Sequence, residues 1–211
     1  ASDGAAGDRF GEWVVGAGDL DADGYDDVAV GAWLADGGSS NQGAVYLYAG
    51  GASGVFRSTE LVLTASDASD GAYFGSYLAS AGDVNGDGYG DLVVGANGDD
   101  TAASGAGAAY VYLGSASGLD ASSEQRLDPS DAAESFWFGD GVDGAGDVDG
   151  DGYADVIIGS DGDNGPLSWA GAAYVYHGSA SGIDTASETK LYASDAPEDA
   201  MFGWLPAGAG D

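Results

Sequence analysis

FGEWVVGAGDLDADGYDDVAVGA occupies Phe10–Ala32; it returns as FGSYLASAGDVNGDGYGDLVVGA from Phe74 and as FGDGVDGAGDVDGDGYADVIIGS from Phe138. The interval is 64 residues each time, so the chain is three repeats and the opening of a fourth, MFGWLPAGAGD at Met201–Asp211. The repeat starts agree as well: ASD at Ala1 returns at Ala65 and Ala193, with PSD at Pro129. A fixed period marks an array of supersecondary units, each completed by packing on its neighbours. The expected units are residues 1–64, 65–128 and 129–192, with 193–211 beginning another.

Within a unit the pattern is of short strands between glycine-rich turns, without helical periodicity. Four strands are expected in the first: Phe10–Ala17, Asp27–Trp33, Gly43–Gly50 and Ser58–Thr64. The third, GAVYLYAG, returns as GAAYVYLG from Gly107 and GAAYVYHG from Gly171. The fourth, matched by SSEQRLD and SETKLYA, is the most polar, as befits an outer edge. Four antiparallel strands per repeat predict an all-β chain of β-propeller blades. Three blades and the first strand of a fourth do not close a ring as a lone chain, so further repeats or other protein chains are expected to complete a propeller or filament.

Composition narrows the function. With 36 Asp plus Glu against 4 Lys plus Arg, the net charge is -32, which repels nucleic acid and anionic membranes alike. Hydrophobic residues make up 44% of the 211, too many for a disordered acidic tail. No apolar run reaches the ~20 residues of a bilayer span, and the N-terminus lacks a basic-then-apolar leader, so no membrane insertion is expected. The absence of cysteine excludes a disulfide framework.

The acidic run between first and second strands carries the clearest chemistry. DLDADGYDD from Asp19, DVNGDGYGD from Asp83 and DVDGDGYAD from Asp147 place oxygen donors at positions 1, 3, 5 and 9, with glycine at 6 for a sharp turn. Such spacing wraps a hard cation, and position 7 can add a backbone carbonyl. The expected Ca²⁺ ligands are Asp19, Asp21, Asp23, Tyr25 and Asp27; Asp83, Asn85, Asp87, Tyr89 and Asp91; and Asp147, Asp149, Asp151, Tyr153 and Asp155, about one ion per complete repeat. An EF-hand is excluded, because position 12 holds Val30, Val94 and Ile158 rather than Glu. Mg²⁺, which demands tight octahedral geometry and keeps its waters, fits less well. Metal-free Asp-Gly turns capping hairpins are the competing reading.

Phe-Gly at the head of the first strand, the Asp-rich loop, and Gly31-Ala32 and Gly95-Ala96 after the second strand, with Gly159-Ser160 in the third repeat, resemble the FG-GAP repeat. That repeat builds the N-terminal β-propeller of integrin alpha chains and occurs in bacterial surface proteins. The family's closing proline is replaced by Trp33, Asn97 and Asp161, and the third first-strand carries Asp140 and Asp143 where its equivalents are mostly apolar or neutral. The resemblance implies a non-catalytic, calcium-stabilised adhesion or recognition module, secreted or on a cell surface. It implies ligand contacts on the face opposite the calcium loops, built by the connections between second and third strands and between successive blades; the second-to-third connections differ most: WLADGGSSNQ, NGDDTAASGA and DGDNGPLSWA. Trp33 and Trp169, with Asp99, Asp100 and Asp163 as polar companions, are the expected contacts for a protein or glycan ligand; the tryptophans could equally pack down on their blades.

Little suggests an enzyme. The one histidine, His177, ends a third strand where its equivalents are Ala49 and Leu113, which favours a packing or rim role. Two alternatives to the adhesion module remain: a structural repeat unit that assembles with other chains into a ring or filament, and a carbohydrate-binding propeller.

Overall fold

The computed structural model describes residues 4–164, 169–195 and 197–209. Asp211, the counterpart of Asp19 in the opening of the fourth repeat, and residues 165–168 of the third variable loop lie outside them. The described residues form twelve strands in three four-stranded sheets. The first is β1 (Val14–Gly18), β2 (Asp27–Ala32), β3 (Ala44–Tyr48) and β4 (Leu61–Leu63). The second is β5 (Tyr77–Gly82), β6 (Asp91–Ala96), β7 (Ala108–Tyr112) and β8 (Gln125–Leu127). The third is β9 (Val142–Gly146), β10 (Asp155–Ser160), β11 (Ala172–Tyr176) and β12 (Thr189–Leu191). Each is an antiparallel meander in chain order, and the inner strands β1, β5 and β9 lie side by side, as blades of an incomplete propeller.

Strand alternation builds the cores between blades. Residues on one face of β7, Tyr110 and Tyr112, join Val45, Leu47 and Ala29 of the first blade, whereas Val111 on the other face joins Phe138, Tyr174 and Ile158 of the third. Covered on both faces, β6 and β7 are buried along their whole length. An aromatic face on one blade thus seats on the aliphatic face of the blade before it.

The Phe-Gly pair is a turn rather than the head of a strand. Arg9, Tyr73, Trp137 and Met201, each preceding the phenylalanine, have φ of 50–58°, and the glycine after it has φ of 83–89°. The inner strands therefore begin later than expected. The glycine amide donates back within its own blade, Gly75 to the Gly95 carbonyl at 2.9 Å and Gly139 to that of Gly159 at 2.9 Å. Its carbonyl meanwhile presses on the blade before: a Cβ at Gly31 would stand 2.2 Å from the Gly75 oxygen, and one at Gly95 2.2 Å from that of Gly139. The two motif glycines are thus one inter-blade contact.

The ends of the array differ from its middle. Phe74 and Phe138 are fully buried, while Phe10 is 42% and Phe202 39% exposed. The opening of the fourth repeat docks as its predecessors do, the Phe202 amide donating to the Ala170 carbonyl at 2.9 Å as Phe138 does to Ala106. Its expected inner strand is not formed among described residues 197–209, where no neighbouring second strand supplies ladder hydrogen bonds. The outer strands are also shorter than expected, because Arg57–Thr59 and Ala121–Ser123 form 3-10 turns.

Candidate metal centres

Each acidic loop starts where the β1-type strand loses register. A bulge at Ala17 and Ala81, and its counterpart at Ala145, is followed by Gly18, Gly82 and Gly146 at φ of 76–82°, which swings the chain out of the sheet immediately before the first aspartate. The carboxylate at position 1 then folds the loop around itself. Asp19 accepts the amides of Asp23 and Gly24 at 3.0 and 2.9 Å; Asp83 those of Asp87 and Gly88 at 3.1 and 2.8 Å; Asp147 those of Asp151 and Gly152 at 3.0 and 2.9 Å. Position 3 accepts the amide of position 5, and position 5 that of position 7, so Tyr25, Tyr89 and Tyr153 donate to Asp23, Asp87 and Asp151.

Three sequences thus reach one geometry. Ligand oxygens of Asp19, Asp21 and Asp23 lie within 4.8 Å of one another, as do those of Asp147, Asp149 and Asp151. In the second loop Asn85 donates its amide NH₂ to Asp87 at 2.9 Å. These are hard oxygen donors of the kind Ca²⁺ selects, so the residues present fit that ion.

The aspartate at position 9 has a structural task that its spacing did not reveal. Asp91 is fully buried, and its two oxygens accept the amide of Val84 at the start of the loop and that of Gly114 beyond β7, both at 2.8 Å. Asp27 clamps Leu20 and Gly50, and Asp155 clamps Val148 and Gly178, in the same way. Burial pushes Asp91 up to about 6, with the charges of Asp83 and Asp87 adding to the rise, and burial raises Asp27 as well. Each clamp oxygen has a lone pair beyond the one its amide uses, which leaves it able to ligate a cation.

Neighbouring loops are tied together. The Gly90 amide donates to the Asp19 carbonyl at 2.8 Å, and that of Ala154 to Asp83 at 3.0 Å. A Cβ on Gly86 would meet the Tyr153 ring at 2.8 Å, so position 7 of one loop lies over position 4 of the loop before. Tyr25, in the first loop described, is 44% exposed.

At the other end of the strands, the five expected ligand contacts do not form one site. Asp99 and Asp163 are fully enclosed and face inward. Asp99 pairs with Arg126 at 2.8 Å, and the same guanidinium holds Asp67 and Asp128 and donates to the Tyr110 hydroxyl. Asp163 pairs with Lys190 at 2.7 Å and accepts from the Tyr174 hydroxyl. The reason is legible at the 64-residue interval: Arg126 and Lys190 correspond to Val62, and Asp99 and Asp163 to Ala35, so cation and buried anion are present or absent together. Asp100 is exposed.

Trp33 is half-buried, packs edge-on against Tyr73 at 5.1 Å and donates to Glu12 at 3.0 Å. Trp169 packs against Trp137 at 5.0 Å. Trp33 lines a cavity of about 510 Å³ with Glu12, Trp13, Tyr73, Tyr77 and Asn97. A second cavity, of about 530 Å³, shares Tyr73, Tyr77 and Asn97 and adds Trp137, Asp140 and Asp161. Asp140 accepts from the Asn97 side-chain amide at 2.8 Å; burial, and then the charge of Asp161, push it up to about 7. Of these aromatics, Tyr73 and Trp137 directly precede the Phe-Gly turns, in the connections between successive blades that the resemblance also implies for ligand contact.

The FG-GAP repeat model matches residues 10–48 and 74–112. The chain is similar to integrin alpha-PS5 of Drosophila melanogaster, at 40% identity over 175 residues, which is 81% of this chain and 16% of that protein. It is similar to integrin alpha-5 of Xenopus laevis, at 34% over 176 residues, 80% of this chain and 16% of that protein. To integrin alpha-V of Gallus gallus it is 43% identical over 96 residues, 44% of this chain and 9% of that protein. It therefore spans only about a sixth of the length of the first two relatives. Three meandering blades, a Phe-Gly turn closing each inter-blade joint and an Asp-rich loop in every repeat agree with these matches: the chain is an FG-GAP repeat protein with blades of the integrin alpha type.

Proposed function

We propose that the chain is a section of an extracellular adhesion or recognition propeller whose acidic loops each bind one Ca²⁺, and that it is not an enzyme. The observation that carries this reading is the threefold recurrence of one carboxylate geometry at the same end of every blade, with adjacent loops bonded to each other. Asp19, Asp21, Asp23 and Asp27 would hold the first ion with the Tyr25 carbonyl; Asp83, Asn85, Asp87 and Asp91 the second with that of Tyr89; Asp147, Asp149, Asp151 and Asp155 the third with that of Tyr153. The bound cation supplies positive charge where like charges crowd, and so fixes the loop ends of the blades. The similarity to integrin alpha chains, themselves cell-surface receptors, supports a secreted or cell-surface location. Among the described residues no helix is long and apolar enough to cross a membrane. Counting Ca²⁺ per chain by elemental analysis after dialysis, with thermal unfolding in Ca²⁺ and in chelator, tests the reading. About three ions per chain and a clear upward shift in Tm support it; no bound calcium and no shift refute it.

The exposed end faces favour a second, compatible reading, in which further repeats or other chains extend the array. The first blade presents Phe10, packed on Tyr46 at 5.3 Å, and the third presents Val148 and Leu191. Inside the array an aromatic face seats on an aliphatic one, and these ends are complementary in the same sense. Mass in solution by light scattering checks it: head-to-tail oligomers support extension between copies, and a monomer leaves extension to repeats of a longer chain. The aromatic and acidic cavities at the far end of the strands are the proposed ligand face for a protein or glycan.

A further inference from the structure

The third loop differs from the other two in one donor. His177 follows β11, and its Nδ1 stands 3.3 Å from Asp155 Oδ1 and 3.6 Å from Asp149 Oδ2, both on proposed calcium ligands. Ligand atoms of Asp149, Asp155 and His177 lie within 4.8 Å of one another, and Asp149 also belongs to the Asp147, Asp149 and Asp151 group. Despite these short distances Nδ1 forms no hydrogen bond, and the atom itself is inaccessible to solvent. Its backbone is held independently: the His177 amide donates to Ser187 Oγ at 2.7 Å, and the next amide, that of Gly178, is clamped by Asp155 at 2.9 Å. A buried imidazole nitrogen aimed between two carboxylate oxygens, bonded to neither, is arranged as a ligand. The spacing agrees, since the edges of a tetrahedron about an ion held at about 2.1 Å are about 3.4 Å long.

We infer that His177 is a metal ligand, and that with Asp149 and Asp155 it converts the third loop into a mixed nitrogen and oxygen site that holds a first-row transition dication, Zn²⁺ or Co²⁺, more tightly than Ca²⁺. Imidazole nitrogen suits these ions and adds little for Ca²⁺, which prefers oxygen throughout. The equivalents Ala49 and Leu113 offer no donor, so the first two loops remain all-oxygen. The inference rests on the reading of the loops as cation sites, but replaces calcium at one of them.

The full chain is dialysed against Zn²⁺ in the presence of a large excess of Ca²⁺, and both metals are counted per chain by elemental analysis, for the wild type and for His177→Leu. The variant restores the residue that the second blade carries, and His177→Ala, matching the first blade, serves as a second copy of the test. The wild type is expected to retain one Zn²⁺, and either variant to bind it at least about tenfold more weakly with its Ca²⁺ count no lower. Nitrogen coupling in the paramagnetic resonance spectrum of the Cu²⁺-loaded wild type, absent from the variants, gives an independent readout. Equal Zn²⁺ retention with and without His177, or none in either, overturns the inference and leaves the calcium reading standing. Failure to bind Ca²⁺ alone, with histidine-dependent Zn²⁺ retained, overturns the calcium reading and supports the inference.

Discussion

Replacing Asp91 by alanine separates the two tasks that position 9 performs. The carboxylate is fully buried and accepts the Val84 and Gly114 amides at 2.8 Å. Alanine strands both, at about 1–3 kcal/mol per buried unpaired group, or about 2–6 kcal/mol in all. Against this stands the cost of the charge itself. Burial lifts Asp91 from 3.8 to about 6, and about two units correspond to about 3 kcal/mol returned when the ionised group is removed from the metal-free protein. Near neutral pH in chelator the two terms nearly offset, and the loss is expected to be no more than about 3 kcal/mol. With Ca²⁺ bound the cation already compensates the charge, nothing is returned, and the loss rises to the full amide term plus the lost ligand. Asp87→Ala is the comparison: its carboxylate is exposed and accepts the Tyr89 amide at 3.0 Å and the Asn85 side-chain amide at 2.9 Å, donors that water can satisfy in its place, so its loss in chelator is expected within about 1 kcal/mol and becomes large only in Ca²⁺. Urea unfolding followed by circular dichroism, with Ca²⁺ and with chelator, reads all four values. Equal losses for Asp87→Ala in both conditions would identify the loops as metal-free turns. An Asp91→Ala protein as stable as the wild type in Ca²⁺ would refute the clamp.

Gly95→Ala puts a Cβ 2.2 Å from the Gly139 carbonyl oxygen and is expected to cost about 3 kcal/mol or more, whereas Gly16→Ala, with nothing within 4 Å and an ordinary φ, should be neutral or stabilising; thermal unfolding distinguishes them. Ala22 sits at φ 56° where the other loops have Gly86 and Gly150, so Ala22→Gly should stabilise by about 1 kcal/mol in the same assay. Arg126→Val leaves the buried Asp99 without its counter-charge and is expected to cost about 3–5 kcal/mol, largely recovered when Asp99→Ala is added, the pair the first blade carries at Val62 and Ala35; a double-mutant cycle of urea midpoints with the two single variants measures the coupling. Asp140, raised to about 7, contributes stability that is present below its unfolded value near 3.8 and lost as pH rises through about 7; the urea midpoint in chelator should therefore rise on acidification through neutrality, and by less in Asp140→Asn.

The period, the four strands per unit and the acidic loops could be read directly because all three are local. A 64-residue interval, alternating apolar positions and a glycine at position 6 need no partner to be recognised. The Phe-Gly pair was placed but misassigned to a strand, since the positive φ of Arg9, Tyr73 and Trp137 leaves no mark in residue type. Asp99 and Asp163 looked like polar loop residues for the same kind of reason: the cations that hold them, Arg126 and Lys190, lie 27 residues away on the outer strands. The corresponding change to Ala35 and Val62 was in the sequence, and could have exposed the pairing.

By itself the sequence determined the repeat, the all-β blade and the carboxylates of the candidate cation loops, which depend on spacing along the chain. Only the tertiary structure decided which aspartates are clamps, which are enclosed ion pairs and which face a cavity, and that His177 reaches the third loop. Those distinctions depend on burial and on groups brought together from distant strands and adjacent blades, and a carboxylate or an imidazole takes its chemistry from what surrounds it.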